Sequence, residues 1–413
     1  MYETIFQNRD VLARYRGGPY AQARERFVED CAKQGYTHRT LVKIAWILMA
    51  VASGIDLGNG KVTRKDVEHA VDSRRHFLRR PDGATDAASS REIFIHFVIA
   101  WLRSMDLFVE AMVEHRFGDQ TGAFVAYMRE EQGLSPVTVS TRIERLVWFF
   151  DGLRAPRDSV AGINITDIDA FVAEKHDDGW SRASLYQLVG SLRSFFKFAE
   201  ARGWCARGFA AAIRSPRLYM REGIPEGPAW KDVQRLLVET RNDGPAGIRD
   251  YAILLLLAFY GFRRGEVAML RLDDLDWEHE TIRVRRPKCR RIQRYPLLHA
   301  VGDAILRYLR EVRPHCGHRE LFLALKAPLR PLSAASISAA VRGRLTALCI
   351  KSSTKGAHCL RHACAEHLLA AGFSLKQIGD YLGHRSANST VAYTKVDING
   401  LRQVAELDLG RLL

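Results

Sequence analysis

No apolar run in this 413-residue chain approaches the length needed to cross a bilayer, roughly 20 residues. The two most apolar stretches, Ile44–Ile55 and Tyr251–Tyr260, read as buried helices. The N-terminus carries acids and no apolar core, so no secretory leader is expected. The cysteines, at 31, 205, 289, 316, 349, 359 and 364, are odd in number and follow no disulfide-framework spacing. Reduced thiols in a cytoplasmic setting are therefore expected. Pro314-His315-Cys316-Gly317-His318 gathers ligand types, but its spacing fits no standard zinc site, and no metal or other cofactor is expected. Amphipathic basic helices and lipidation motifs are also lacking, which removes the membrane surface as a partner.

What the chain has in excess is positive charge. Lys and Arg number 62 against 47 Asp and Glu, a net charge of +15. That balance favours a polyanion, because each phosphate contact by Lys or Arg releases a condensed counterion.

Helical periodicity dominates, so the expected class is mainly α with a small antiparallel sheet (α+β). Three parts are expected: an N-terminal helical unit over 1–115, a second over 116–215 and a larger one over 221–413, with a linker around Arg214–Pro228. The first part shows helical patterns at Tyr20–Lys33, Arg39–Ala52, Arg64–Leu78 and Ile93–Leu107, with a loop at Pro81–Ser90. The second shows them at Gly122–Gln132, Pro136–Gly152, Ile165–Asp177 and Arg182–Arg202, with Ser135 and Ser181 at cap positions. These two parts read as a diverged repeat: Phe27 answers Phe124, Gly35 answers Gly133, Thr63-Arg64-Lys65-Asp66 answers Asn164-Ile165-Thr166-Asp167, and Trp101 answers Phe198. The third part opens with helices Ala229–Arg241 and Arg249–Tyr260. Strands Thr281–Arg286 and Arg291–Leu297 follow, joined through Pro287-Lys288-Cys289-Arg290, and helices resume from His299 to the end.

Five features of the third part stand in order: Gly261-Phe262-Arg263-Arg264-Gly265-Glu266, Lys288 at the hairpin turn, His358-Cys359-Leu360-Arg361, Leu382-Gly383-His384, and Tyr393 nine residues beyond that histidine. Each alone is weak; an isolated arginine is usually a surface cation, and an isolated tyrosine a packing residue. Together and in order they resemble the tyrosine recombinase (phage integrase) family over roughly the last two-thirds of the chain. The resemblance implies a helical core-binding, SAM-like domain followed by a catalytic domain. It implies that Arg263, Lys288, His358, Arg361 and His384 act on a DNA phosphate, that Glu266 supports Arg263, and that Tyr393 is the nucleophile. Phe262 stands where the family usually has leucine, a conservative change.

The chemistry suits those roles. Arginine forks hold non-bridging phosphate oxygens bidentately, and preorganised donors of this kind are usually the largest catalytic contribution. His358 and Arg361 lie three apart and share a helix face. A phenol ionises near 10, so Tyr393 needs a proton acceptor or a positive field. By resemblance, Lys288 protonates the leaving 5′-hydroxyl, the 3′-phosphotyrosine conserves the bond energy, and neither metal nor ATP is required. Arg285, Arg286, Arg290 and Arg291 around the hairpin, with Arg142 and Lys197 in the second part, are expected to contact phosphates. The implied partners are double-stranded DNA, a homotetramer on paired sites and possible partner recombinases; the implied setting is a mobile element. A topoisomerase or resolvase-like nicking enzyme and a non-catalytic accessory DNA-binding protein remain alternatives. A missing motif position would favour the accessory protein, and none is missing. The Cys359–Cys364 pair reads as small apolar packing, with redox sensitivity as the alternative.

Overall fold

The structure is a computed structural model that describes residues 1–52, 54–55, 61–73, 87–109, 116–153, 157, 159–217, 227–286, 291–352, 354 and 356–383. The chain divides into two compact units: Val109–Glu222, and Met1–Phe108 together with Gly223–Leu413.

The N-terminal segment is a helical bundle: α1 (Tyr2–Ile5), α2 (Arg9–Arg16), α3 (Ala21–Lys33), α4 (His38–Ala52), α5 (Arg64–Asp72) and α6 (Ala87–Ser104). Apolar residues at helical spacing build its core. In α4, Leu41, Ile44, Ala45, Leu48, Val51 and Ala52 are all buried. The loop expected over Pro81–Ser90 is overridden at its end, because α6 already begins at Ala87; alanine and serine there continue the helix whose apolar face starts at Ile93. The turn that closes α3 rests on the loop 312–333 of the C-terminal segment. Leu329 N donates to Gln34 O at 2.9 Å. Gly35, at φ +83°, lies so near that a Cβ would stand 2.6 Å from Leu329 Cδ1.

The middle unit contains α7 (Gly118–Ala126), continued by a π-helical turn Tyr127–Glu131, then α8 (Pro136–Asp151), α9 (Ile165–Asp177), α10 (Arg182–Ala201) and α11 (Phe209–Ala212). Ser135 and Ser181 accept from the backbone N–H of Thr138 and Ser184, so both caps form where serine precedes the helix. Several positions paired between the two halves behave alike. Thr63 with Asp66 and Asn164 with Asp167 both form reciprocal capping boxes. Gly35 and Gly133 both take positive φ, and Trp101 and Phe198 are both buried.

The C-terminal segment contains α12 (Trp230–Thr240), α13 (Gly244–Phe259), α14 (Arg264–Ala268), β1 (Leu275–Asp276), β2 (Thr281–Arg286), β3 (Arg291–Pro296), α15 (His299–Glu311), α16 (Ala334–Ala347), α17 (Ala357–Ala370) and α18 (Leu375–Leu382). Helix α13 starts at Gly244, earlier than its apolar pattern suggests, because Pro245 is at home in a first helical turn. Its run Leu254–Ala258 is buried on every side, with α12, α15 and α17 packed around it. The sheet is antiparallel in the order β1-β2-β3, with Arg286 paired to Arg291 and Thr281 to Pro296. The two-residue β1 has too little sequence to carry a strand pattern. Helices do not simply resume after the sheet. Residues 312–333 form a loop interrupted by Pro314, Pro328 and Pro331 and braced by Arg313, which donates to the carbonyls of Leu321 (3.1 Å) and Glu320 (2.8 Å).

Candidate active site

The end of α13 and the end of α18 meet closely. Gly261 takes φ +59°, and a Cβ there would stand 2.3 Å from Leu382 Cδ2, so only glycine admits the approach. Just beyond, Arg263 caps α14, and Glu266 folds back on it: Oε2 accepts from Arg263 N and Oε1 from Arg263 Nη1, both at 2.8 Å. From α17, Arg361 reaches the same place. It is 2% exposed, donates Nη1 to Gly261 O at 2.5 Å and Nη2 to Leu382 O at 2.8 Å. Arg263 Nη2 lies 3.4 Å from Gly383 O. Two arginines far apart in sequence thus converge on Leu382-Gly383, immediately before His384. The carbonyls there close α18 and carry the negative end of its dipole, which orients the guanidinium donors.

Arg286 corrects the sequence expectation. The basic run around the hairpin predicts a phosphate contact for it, but it is buried and Nε, Nη1 and Nη2 all donate to protein partners. Nε donates to Gln293 Oε1 (2.9 Å); Nη1 donates to Leu382 O (2.7 Å) and Glu266 Oε1 (3.1 Å); Nη2 donates to the Tyr295 hydroxyl. The period of two along β2 points it inward with Ile282 and Val284, a signal present in the sequence but outweighed by the surrounding basic run. Glu266, 4% exposed, therefore holds two guanidiniums, and the site keeps an excess of positive charge. Tyr295 and Gln293 also belong to this cluster, and no motif marks them as site residues; Gly383 enters it from the Leu382-Gly383-His384 motif.

His358 and Arg361 lie one turn apart on α17. The His358 ring meets His362 edge-on, with centroids 4.5 Å apart. Burial, helped by the charges of His358 and Arg361, pushes the His362 imidazole down to about 4, so it stays neutral near pH 7.

Lys288, Arg290, His384 and Tyr393 lie outside the described residues, and Arg291 is described only as the first residue of β3. Arg285 is exposed and pairs with the buried Asp274 at 3.3 Å. Lys197 is exposed on α10, whereas Arg142 is half-buried and donates to Ser194 Oγ at 3.1 Å. Among the described residues no three ligand-type side chains form a metal cluster, and His318 Nε2 lies 3.1 Å from Leu329 O. Cys359 and Cys364 are buried, and burial pushes the Cys364 thiol up to about 12. No helix among the described residues is long and apolar enough to cross a membrane.

The sequence model of the phage integrase family matches residues 230–399, and that of the phage integrase N-terminal SAM-like domain matches 122–203. The "Putative integrase/recombinase y4rA" of Sinorhizobium fredii is 34% identical over 412 residues, covering 97% of both chains. The chain belongs to the phage integrase family of tyrosine recombinases. Tyrosine recombinase XerC of Oceanobacillus iheyensis is 29% identical, covering 68% of this chain and 92% of its own. Among solved structures, a lambda integrase dimer (residues 75–356) bound to a core site superposes with a TM-score of 0.54 at 17% identity, over 67% of this chain and 94% of its own. The XerH recombinase bound to its difH substrate gives 0.53 at 16% identity, over 85% and 98%. At those identities the likeness is one of fold. The mainly helical architecture with one small antiparallel sheet is that of the tyrosine recombinases, and the protein is a tyrosine-type site-specific DNA recombinase.

Proposed function

We propose that this recombinase binds double-stranded DNA and breaks it with Tyr393, using Arg263, Lys288, His358, Arg361 and His384 on the scissile phosphate. The observation that carries the reading is the convergence of Arg263 and Arg361 on Leu382-Gly383, in a site whose positive charge exceeds its carboxylate. A phosphodiester gains negative charge in its transition state, so fixed guanidinium donors favour that state over the ground state. Tyr393 Oη attacks phosphorus and loses its proton, with His358 as the proposed acceptor. The P–O5′ bond breaks, and the leaving oxygen takes a proton from Lys288 Nζ. The 3′-phosphotyrosyl bond then conserves the energy for attack by a 5′-hydroxyl of another strand. Glu266 holds Arg263 by two hydrogen bonds and so acts as a positioning residue.

The family and the basic balance support a DNA partner. Arg285, Arg290, Arg291, Arg142 and Lys197 are the cations proposed to contact phosphates. We read 116–215 as the core-binding domain, 221–413 as the catalytic domain and 1–115 as a diverged second copy of the core-binding fold, on the shared capping boxes and glycine positions. A tetramer on paired sites, with or without partner recombinases, in the cytoplasm and on a mobile element completes the reading.

The test uses nicked suicide substrates built from DNA flanking the gene. Wild-type protein should accumulate a covalent complex, while Arg263→Ala and Arg361→Ala should bind the same DNA and cleave at least about a hundredfold more slowly. Cleavage at the wild-type rate by both variants would overturn the reading.

A further inference from the structure

Arg286 is a fully buried guanidinium whose neighbours do not explain it as mere packing. A buried charge costs several kcal/mol unless its partners repay it, and an aliphatic residue would fill the inward position of β2 at no such cost. What the charge does is join four pieces of chain. It bonds Gln293 and Tyr295 on β3, Glu266 on α14, and the carbonyl of Leu382 at the end of α18. Gly383 is shaped to the contact: at φ +65°, a Cβ there would stand 2.3 Å from Arg286 Cζ and 2.5 Å from Nε and Nη1. Gln293 and Tyr295 add their own bonds to α18, from Gln293 Nε2 to Asp380 O (3.2 Å) and from the Tyr295 hydroxyl to Tyr381 O.

The chain positions at the two ends of this contact are the important ones. Arg286 is the last residue of β2, two before Lys288, and Gly383 directly precedes His384. The carboxylate that Arg286 shares is the one that holds Arg263. We propose that Arg286 is a positioning residue for the proton-donating half of the reaction. It fixes the base of the β2–β3 hairpin to the Leu382-Gly383 turn, so that Lys288 and His384 address the same phosphate as Arg263. Its rigid, planar fork suits this role, whereas a lysine in its place would keep the charge and lose the simultaneous bonds to β3, α14 and α18.

This proposal rests on Lys288 as the acid, and the experiment separates the two claims. Suicide substrates are made with the ordinary 5′-bridging oxygen and with sulfur in its place. In the oxygen substrate the P–O5′ bond breaks and O5′ must take a proton. In the sulfur substrate the P–S bond breaks and sulfur leaves as a thiolate, with no proton required, because thiols ionise near 8.5. Lys288→Ala is the reference: it should be slow on oxygen and restored on sulfur. Arg286→Lys should slow cleavage of the oxygen substrate by about tenfold or more, a fraction of a full general-acid contribution, and should return to within about threefold of wild type on sulfur. Gln293→Ala, which leaves Arg286 its other bonds, should show the same pattern at smaller size, and it decides the matter if Arg286→Lys does not fold. If Lys288→Ala is not restored by sulfur, the acid is misassigned. If Lys288→Ala is restored while the Arg286 and Gln293 variants are slowed equally on both substrates, or on neither, Arg286 is a structural residue only.

Discussion

Replacing Gly383 by alanine adds one methyl group at the point where α18 meets Arg286. Two costs follow. The left-handed conformation at φ +65° costs an alanine about 1–2 kcal/mol relative to glycine. The new Cβ would also stand 2.3–2.5 Å from three guanidinium atoms, far inside the roughly 3.5 Å of ordinary contact, so Arg286 must retreat by about 1 Å. That retreat breaks its 2.7 Å bond to Leu382 O and its 3.1 Å bond to Glu266. Bonds to a charged group contribute about 1.5–3 kcal/mol each, so the total loss should exceed about 3 kcal/mol. Gly372 supplies the control, because it takes φ +88° with nothing within 4 Å of an added methyl, and alanine there should lose only the conformational part. Hydrogen exchange of the α18 amides reads the local loss without assuming two-state unfolding of a multidomain chain. Equal loss of protection in Gly383→Ala and Gly372→Ala would refute the packing of Arg286 against this turn.

His362 is held down to about 4 from an unfolded value near 6.5, chiefly by burial. The unfolded chain therefore binds the proton first, and stability fully present above pH 6.5 is lost as pH falls toward 4. His362→Asn should flatten the fall in melting temperature between pH 7 and pH 4.5, and an unchanged slope would contradict this. Burial also raises the Cys359 and Cys364 thiols. Native protein treated with iodoacetamide at pH 8 should be modified at the exposed Cys349 and spared at Cys359 and Cys364, as mass spectrometry would read; rapid labelling of Cys364 would revive the redox alternative.

The helices are legible in the sequence because apolar residues recur at 3- and 4-residue spacing and because Ser135 and Ser181 announce their caps. The ends of elements are less so. The Gly244-Pro245 start of α13 looks like a loop by composition, yet a proline is at home in a first helical turn and the pair joins the helix. In the site, Arg263, Glu266 and Arg361 declare themselves through motif order, since local chain geometry sets their spacing. Arg286 does not. Its neighbours Arg283, Arg285, Arg290 and Arg291 make a basic run, and only the third dimension shows that Glu266 and the end of α18 absorb this one charge. Sequence spacing marks which residues act together, and it is silent about which cation is turned inward to hold them.

The most direct measurement is the site of covalent attachment. Wild-type protein is incubated with a suicide substrate from its flanking DNA, digested with protease, and the DNA-linked peptide is sequenced by mass spectrometry. The peptide should contain Tyr393 joined to a 3′-phosphate, and Tyr393→Phe should bind the substrate without forming any adduct. An adduct at another residue, or one that persists in Tyr393→Phe, would contradict the assignment.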